Sequence, residues 1–143
     1  MALEDILHFT QVTQNVASSG QPLAHEFITI ADAGYTVVIN LCTHRLDDIV
    51  RQEGTIVAAL DMIYFHMPVP FDNPTQDHLR IFLAQMELLK DRKIWVHCAL
   101  NYRASGFLCH YLQKSCHYSL PEAKDKTFPY WKPNEVWQHF LEI

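Results

Sequence analysis

Long apolar runs are missing from this sequence, although 49% of its 143 residues are hydrophobic. A membrane-spanning helix needs about 20 consecutive apolar residues, and no segment approaches that length. The first residues, Met1-Ala-Leu-Glu-Asp, also lack the basic start of a secretory signal peptide. We therefore expect a cytoplasmic protein with no membrane partner.

Glycine and proline are also scarce, at four and seven residues. They form no low-complexity stretch that would act as a linker between domains. No internal repeat is visible, and a chain of this length is large enough for one real hydrophobic core. We predict a single domain over residues 1–143.

Positive charge is in deficit, because 11 lysines and arginines face 16 acidic residues, a formal net charge of −5. A protein that binds nucleic acid nonspecifically needs a basic stripe to neutralise the phosphate backbone. We expect no nucleic-acid partner. An anionic substrate would have to be held by local groups, not by the field of the whole molecule.

The four cysteines show no paired spacing of the kind that a disulfide scaffold has. This again favours a reducing cytoplasm. The pairs Cys109-His110 and Cys116-His117 suggest metal ligation, but their cysteines lie seven positions apart, about two helical turns. One zinc ion cannot bridge that distance without further ligands, so we assign these residues to packing and to the surface.

Strands and helices alternate along the chain. The predicted strands cover residues 11–18, 35–41, 62–69 and 94–96. The predicted helices cover residues 22–33, 46–60, 75–89, 104–115, 120–126 and 134–141. Gly34 is expected to stop the first helix, Thr75 to cap the third, and Trp137 to anchor the last one in the core. The alternation predicts an α/β fold of three layers, a mostly parallel central sheet flanked by helices.

In such sheets, ligands collect beyond the carboxyl ends of the strands. Three segments follow predicted strands: Cys42 to Arg45, Pro70 to Asn73, and His97 to Arg103. They are distant in sequence, yet the fold would bring them to one edge of the sheet. We expect the functional site there.

The segment from Lys93 to Leu108 carries the strongest chemical signal. A short apolar strand leads directly into His97-Cys98, and an apolar helix follows Arg103 and Ser105. A cysteine between a strand end and a helix N-terminus lies at the positive end of the helix dipole, which favours the nucleophilic thiolate. The local N–H groups can hold an oxyanion, and Arg103 adds a planar fork for two of its oxygens.

The pattern His97-Cys98…Arg103…Ser105 resembles the phosphate-binding loop of the cysteine-dependent protein tyrosine and dual-specificity phosphatases. It is most similar to the small bacterial branch related to the phosphatase-like domain of the beta-lactamase hydrolase-like proteins. The resemblance extends over residues 8–118 in the expected order. Its supporting pieces are Ser19-Gly20-Gln21-Pro22, Val37-Val38-Ile39-Asn40-Leu41, Met67-Pro68-Val69-Pro70 leading to Asp72, and Pro74-Thr75.

The resemblance implies a role for each matched residue. Cys98 would attack phosphorus to form a cysteinyl-phosphate, Asp72 would be the general acid, and Ser105 would assist release of the thiolate. His97 would support the loop from behind. The implied phosphate-binding residues are Ala99, Leu100, Asn101, Tyr102, Arg103 and Ala104. The implied substrate is a phosphorylated protein or small phosphate ester, with no metal or organic cofactor.

Some relatives carry a cysteine that forms a reversible disulfide with the nucleophile. Cys42, at the end of a neighbouring predicted strand, is the candidate for that role. A core cysteine would look the same in the sequence. Asp72 has an alternative explanation too, because Asp72-Asn73-Pro74 is also ordinary turn chemistry, and Asp77 is the second candidate for the acid. Ser105 could equally be a helix-cap residue.

The spacing from Cys98 to Arg103 departs from the family pattern. The family places five residues between the two, usually with glycine at the third position after the cysteine; here there are four, and Asn101 takes the glycine position. Asparagine is the non-glycine residue best able to adopt a left-handed backbone. A four-residue spacing also resembles the loop of rhodanese-type sulfurtransferases. Two alternatives therefore stay open: sulfur transfer through a Cys98 persulfide, and a non-catalytic phospho-binding module.

Overall fold

The computed structural model describes residues 2–43 and 50–143. The strands are β1 Thr10–Gln11, β2 Val16–Ser19, β3 Val37–Asn40, β4 Ile63–His66 and β5 Ile94–His97. The helices are α1 Phe27–Asp32, α2 Glu53–Ala59, α3 Gln76–Leu88, α4 Tyr102–Lys114, α5 Leu120–Lys126 and α6 Glu135–Leu141. Two short 3₁₀ helices cover Leu3–Asp5 and Ala24–Glu26. None of the helices in the described part of the chain has the length and apolar character that a membrane crossing requires.

The five strands form one sheet in the order β1-β2-β5-β3-β4. Only β1 is antiparallel to its neighbour; the other pairings are parallel. The strand β5 is central, because Ala17 and Val38 lie on either side of Trp95 in the register. The residue that follows β5 therefore leaves from the middle of the carboxyl edge, where ligands of parallel sheets bind.

Hydrophobic cores lie on both faces of the sheet, so the predicted three-layer α/β fold is confirmed. Alternate residues of a strand face opposite sides, and in β3 Val37 and Ile39 enter one core whereas Val38 enters the other. The helices α3 to α6 cover the first face, with Phe82, Phe107 and Trp137 at its centre. The helices α1 and α2 cover the second face.

The predicted first strand, residues 11–18, is wrong as a single element. The chain forms a hairpin there, with Thr10 opposite Ser18. The N–H groups of Val12 and Thr13 both donate to the carbonyl of Val16, which closes the turn. The reversal falls on Thr13, Gln14 and Asn15, a turn without the glycine or proline that usually marks one in a sequence.

The other element predictions differ from the structure mainly in their bounds. The helix predicted over residues 46–60 begins at Glu53, after Gln52 in a left-handed conformation with φ of 61°; residues 46–49, with His44 and Arg45 of the predicted site edge, lie outside the described residues. The predicted helix 22–33 is a 3₁₀ turn followed by α1, and Gly34, with φ of 95°, ends it as expected. Thr75 caps α3 by accepting a hydrogen bond from the N–H of His78.

Candidate active site

Cys98 directly follows β5, and its side chain is buried at the N-terminus of α4. The N–H of Ala104 donates to the Cys98 sulfur at 3.5 Å. The first N–H groups of a helix have no partner within the helix, and they carry the positive end of its dipole. The sequence prediction of a cysteine beneath a helix N-terminus is therefore confirmed in its geometry.

The loop between Cys98 and α4 is anchored through its carbonyl groups. The carbonyl of Cys98 lies 3.3 Å from His97 Nδ1, that of Ala99 accepts from the N–H of Gln21 at 2.9 Å, and that of Leu100 lies 2.9 Å from His8 Nδ1. In a trans peptide the N–H points opposite to the C=O. The N–H groups of residues 99, 100 and 101 therefore point away from these three anchors, as an oxyanion cradle requires.

Asn101 ends the loop in a left-handed conformation, with φ of 70°. This confirms the reason for an asparagine in the usual glycine position. Its side-chain amide donates to the carbonyl of His8 at 2.8 Å, so two hydrogen bonds connect His8 to the loop. His8 is itself left-handed, with φ of 52°. Such strain in two non-glycine residues is retained where surrounding contacts determine the backbone.

The upstream motif Ser19-Gly20-Gln21 packs against the Cys98 loop, and Gly20 makes this close approach possible. A Cβ atom at Gly20 would lie 2.6 Å from the carbonyl oxygen of Ala99, closer than atoms can pack. The glycine thus lets the backbone approach the loop closely enough for the N–H of Gln21 to reach that same carbonyl.

A buried polar network lies behind the loop. His97 Nε2 is 2.7 Å from Glu53 Oε2, and both side chains are buried. Gln21 Nε2 donates to the other carboxylate oxygen, Glu53 Oε1, at 2.8 Å. Burial raises the pKa of Glu53, but the charge of His97 and hydrogen bonds from His97, Gln21 and Tyr64 outweigh it, so the pKa is lowered from 4.5. The carboxylate is therefore ionised at neutral pH.

Arg103 connects the loop to the segment that carries Asp72. The guanidinium is almost fully buried, and its Nη1 donates to the carbonyl of Val69 at 2.9 Å. It lies 6.0 Å from the centre of the Phe71 ring. The chain beyond β4 is itself held against the end of β3, because the N–H of Val69 donates to the carbonyl of Leu41. Two of the three segments predicted to follow strands, Pro70 to Asn73 and His97 to Arg103, thus meet at the Arg103 side chain.

Asp72 is exposed on this segment, which we call the acid loop (residues 67–74). Trp137 Nε1 of α6 donates to the carbonyl of Phe71 at 2.7 Å and so fixes the backbone next to Asp72. Asp72 also lines a cavity of about 640 Å³ together with Glu135 and His139 of α6. Asp77, the second candidate acid, lies on the exposed first turn of α3 and pairs with Arg80 at 3.0 Å.

Ser105 and Cys42 are both buried close to the loop. The hydroxyl of Ser105 donates to Asn101 Oδ1 at 3.3 Å and accepts from the N–H of Phe128 at 3.1 Å, so it joins the loop to the segment after α5. The Cys42 thiol lies 3.7 Å from Gln21 Oε1, beyond the end of β3, the strand adjacent to β5. The predicted redox role of Cys42 stays a prediction.

Sequence reasoning did not find Glu53, His8 or the loop-fixing role of Trp137. Glu53 follows a left-handed residue at a helix start, and only the fold brings it to His97, 44 positions away. The prediction for Trp137 as a core anchor is confirmed, since it is fully buried. Within residues 2–43 and 50–143, no group of three or more His, Cys, Asp or Glu side chains is arranged to hold a metal ion.

Comparison with known proteins gives a match only among solved structures. No protein-family model matches the chain, and no curated protein sequence does. The "putative phosphatase (DUF442)" of Shewanella putrefaciens CN-32 is 31% identical, with a TM-score of 0.88 over 98% of this chain and 92% of that one.

Two more distant structures share the fold. Tk-PTP in its active form is 20% identical, with a TM-score of 0.78 over 94% of each chain. TpbA of P. aeruginosa is 10% identical, with a TM-score of 0.76 over 95% of this chain and 84% of that one. The resemblance to tyrosine phosphatases is confirmed: the chain belongs to the DUF442 family of protein-tyrosine-phosphatase-like proteins.

Proposed function

We propose that the protein is a cysteine-dependent phosphatase acting on phosphotyrosine- or phosphoserine-type monoesters. The observation that carries the proposal is the loop after β5. The Cys98 sulfur accepts from the N–H of Ala104. The carbonyls of Cys98, Ala99 and Leu100 contact groups outside the loop, so the N–H groups that follow them point inward. A buried nucleophile and N–H groups turned toward the same cradle are the two requirements for phosphoryl transfer to sulfur.

In the first step, the Cys98 thiolate attacks phosphorus. The S–P bond forms as the ester P–O bond breaks, and the leaving oxygen takes the proton of Asp72. The loop N–H groups and the Arg103 guanidinium bind the equatorial oxygens, whose charge spreads during transfer. In the second step, the Asp72 carboxylate accepts a proton from water, the water oxygen attacks phosphorus, and the S–P bond breaks to release phosphate and the thiolate.

The position of Asp72 favours it over Asp77 as the acid. The acid loop is bound to Arg103 through the carbonyl of Val69 and to Trp137 through that of Phe71. Asp77 already pairs with Arg80 on an exposed helix surface. Asp72 thus lies on the segment that Arg103, the proposed oxyanion-binding residue, contacts. A carboxyl group on that segment is well placed to protonate a leaving group.

Sulfur transfer is the competing function, and the four residues between Cys98 and Arg103 are the observation in its favour. Parallel assays with p-nitrophenyl phosphate, and with thiosulfate plus cyanide, separate the two. We expect hydrolysis of the phosphate ester and no thiocyanate. Thiocyanate alone would show a sulfurtransferase, and sulfate binding without either activity would show a phospho-binding module.

We further propose that the protein works in the reducing cytoplasm. Cys98, Cys109 and Cys116 carry thiols rather than disulfides, and the proposed nucleophile must remain reduced to act. Cell fractionation that finds the protein in an oxidising compartment would contradict this placement.

A further inference from the structure

The side chain of Glu53 stands at the centre of the loop anchors. One carboxylate oxygen faces His97, whose other nitrogen lies against the carbonyl of Cys98. The second oxygen accepts from the side chain of Gln21, whose backbone N–H holds the carbonyl of Ala99. A single buried side chain on α2 is thus connected to two of the three carbonyls that orient the loop.

The two ring nitrogens of His97 face two acceptor groups, Glu53 and the carbonyl of Cys98. An ionised carboxylate and a backbone carbonyl are both acceptors only. The contact of His97 Nε2 with Glu53 Oε2, at 2.7 Å, is the shorter of the two, so the Glu53 carboxylate orients the ring that faces the Cys98 carbonyl. Glu53 is thus the acceptor that holds the His97 ring in the buried space behind Cys98.

A stabilising role alone does not explain this arrangement. Burying a carboxylate costs several kcal/mol before its partners offset the loss, and apolar residues of similar volume often stabilise a protein as well or better. Here the ionised group is 4% exposed, and its partners lead to the loop. The same helix start also carries Gln52 in its left-handed conformation. Strained backbone beside a buried charge is typical of a position kept for function.

We propose that Glu53 is a positioning residue, which acts through His97 and Gln21 to hold the N–H groups of the loop toward the oxyanion and the Cys98 thiolate. This inference deepens the proposed function and rests on it. In Glu53→Gln, the amide group cannot accept from both neighbours, since one of its two ends is a donor. The charge-assisted bonds to the carboxylate are lost, and either His97 or Gln21 must turn an acceptor toward the amide N–H, which weakens its hold on the attached loop carbonyl.

Glu26→Gln is the matched control. Glu26 is also buried, at 5% exposure, and it accepts from the N–H of Leu23 within its own 3₁₀ turn. Both variants replace a buried carboxylate by its isosteric amide, so both report the cost to folding. Of the two carboxylates, Glu53 is the one bonded to His97 and Gln21.

The test measures sulfate affinity by calorimetry and the rate of iodoacetamide labelling of Cys98 at pH 6 by peptide mass spectrometry. Glu53→Gln should lower the sulfate affinity and the labelling rate by about tenfold each. That factor corresponds to the loss of one hydrogen bond to a charged group. Glu26→Gln should leave the sulfate affinity and the labelling rate within about twofold of their wild-type values. Equal effects of the two variants on sulfate affinity and on labelling would overturn the inference.

Two further features keep the test decisive. If Glu53→Gln does not fold by circular dichroism, Gln21→Met, which removes the side-chain link but keeps the backbone N–H, should still weaken sulfate binding and slow labelling by about threefold. Wild-type behaviour of Gln21→Met would then count against the inference. Neither readout needs turnover, so a wild-type protein without phosphatase activity would refute the proposed function while leaving the role of Glu53 separately testable.

Discussion

At the scale of single residues, the chemistry depends on how Cys98 differs from the other buried cysteines. Cys98 accepts a hydrogen bond from a helix N-terminus. Cys109 lies in the middle of α4, where burial raises its thiol pKa to about 11, although Lys124 and Gln113 oppose the shift. The two cysteines therefore lie in different surroundings, Cys98 at a helix N-terminus and Cys109 within the helix and the core.

We predict that iodoacetamide labels Cys98 of the native protein faster than Cys109 or Cys116 in mildly acidic buffer. Only a thiolate reacts at a useful rate, and the thiol of Cys109 stays protonated there. Peptide mass spectrometry after timed quenching gives the three rates. Uniform labelling of the three cysteines would remove the case for a nucleophile.

The roles of Cys98 and Arg103 separate in a pair of variants. Cys98→Ser should abolish hydrolysis of p-nitrophenyl phosphate but leave sulfate affinity largely intact. Arg103→Lys should reduce both, by about 10- to 100-fold for sulfate, because lysine keeps the charge but loses the planar fork. Wild-type sulfate affinity in Arg103→Lys would mean that the buried guanidinium binds the Val69 carbonyl of the acid loop but does not bind the oxyanion.

At the scale of elements, the acid loop depends on α4 and α6. Arg103 of α4 binds the carbonyl of Val69, and Trp137 of α6 binds that of Phe71. The two helices pack closely, since a Cβ at Gly106 would lie 2.7 Å from the Trp137 ring. The helix that follows the Cys98 loop therefore also determines where the acid loop lies.

Asp72→Asn should slow the hydrolysis of esters with basic leaving groups by about 10²–10⁴-fold and affect good leaving groups little. A phenolate that leaves readily gains little from a proton. A series of aryl phosphates with increasing phenol pKa gives this dependence, and Asp77→Asn is the control. An unchanged dependence in Asp72→Asn would move the role to Asp77 or leave the site without an acid.

Trp137→Phe tests whether the loop attachment matters. Phenylalanine retains most of the core packing but loses the N–H that binds the Phe71 carbonyl. The loss of one hydrogen bond, about 1 kcal/mol, should lower turnover of esters with basic leaving groups by about fivefold. Sulfate affinity should stay unchanged, because the indole N–H binds the Phe71 carbonyl and not the loop between Cys98 and α4. Equal slowing of all esters would contradict a specific effect on the acid.

At the scale of the whole molecule, the pair of Glu53 and His97 connects acid stability to the site. The pKa of Glu53 is lowered in the folded state, because His97 and the hydrogen-bond donors outweigh burial. Its contribution to stability is therefore complete above pH 4.5, its ordinary value, and is lost as pH falls through the lower folded value. Urea unfolding from pH 7 to pH 3 should show wild type losing stability below about pH 4.5 more steeply than Glu53→Gln. Parallel curves would exclude this linkage.

The sequence revealed the fold class and the loop because both depend on local signals. Buried strands read as apolar runs, and a cysteine between such a run and a helix is recognisable without any tertiary contact. The hairpin of β1 and β2 was missed because its turn, at Thr13, Gln14 and Asn15, contains neither glycine nor proline to mark the reversal. Glu53 and His8 were missed for another reason: each reaches the loop from a distant part of the chain, and nothing in their neighbours in sequence indicates this.

The central claim is that Cys98 forms a covalent phosphoenzyme. Rapid acid quenching of the protein during turnover of p-nitrophenyl phosphate, followed by peptide mass spectrometry, tests it directly. We predict the mass of one phosphoryl group on the peptide that contains Cys98, present in Asp72→Asn as well and absent in Cys98→Ser. Turnover with no label on Cys98, or a phosphoryl group on another residue, would contradict the account.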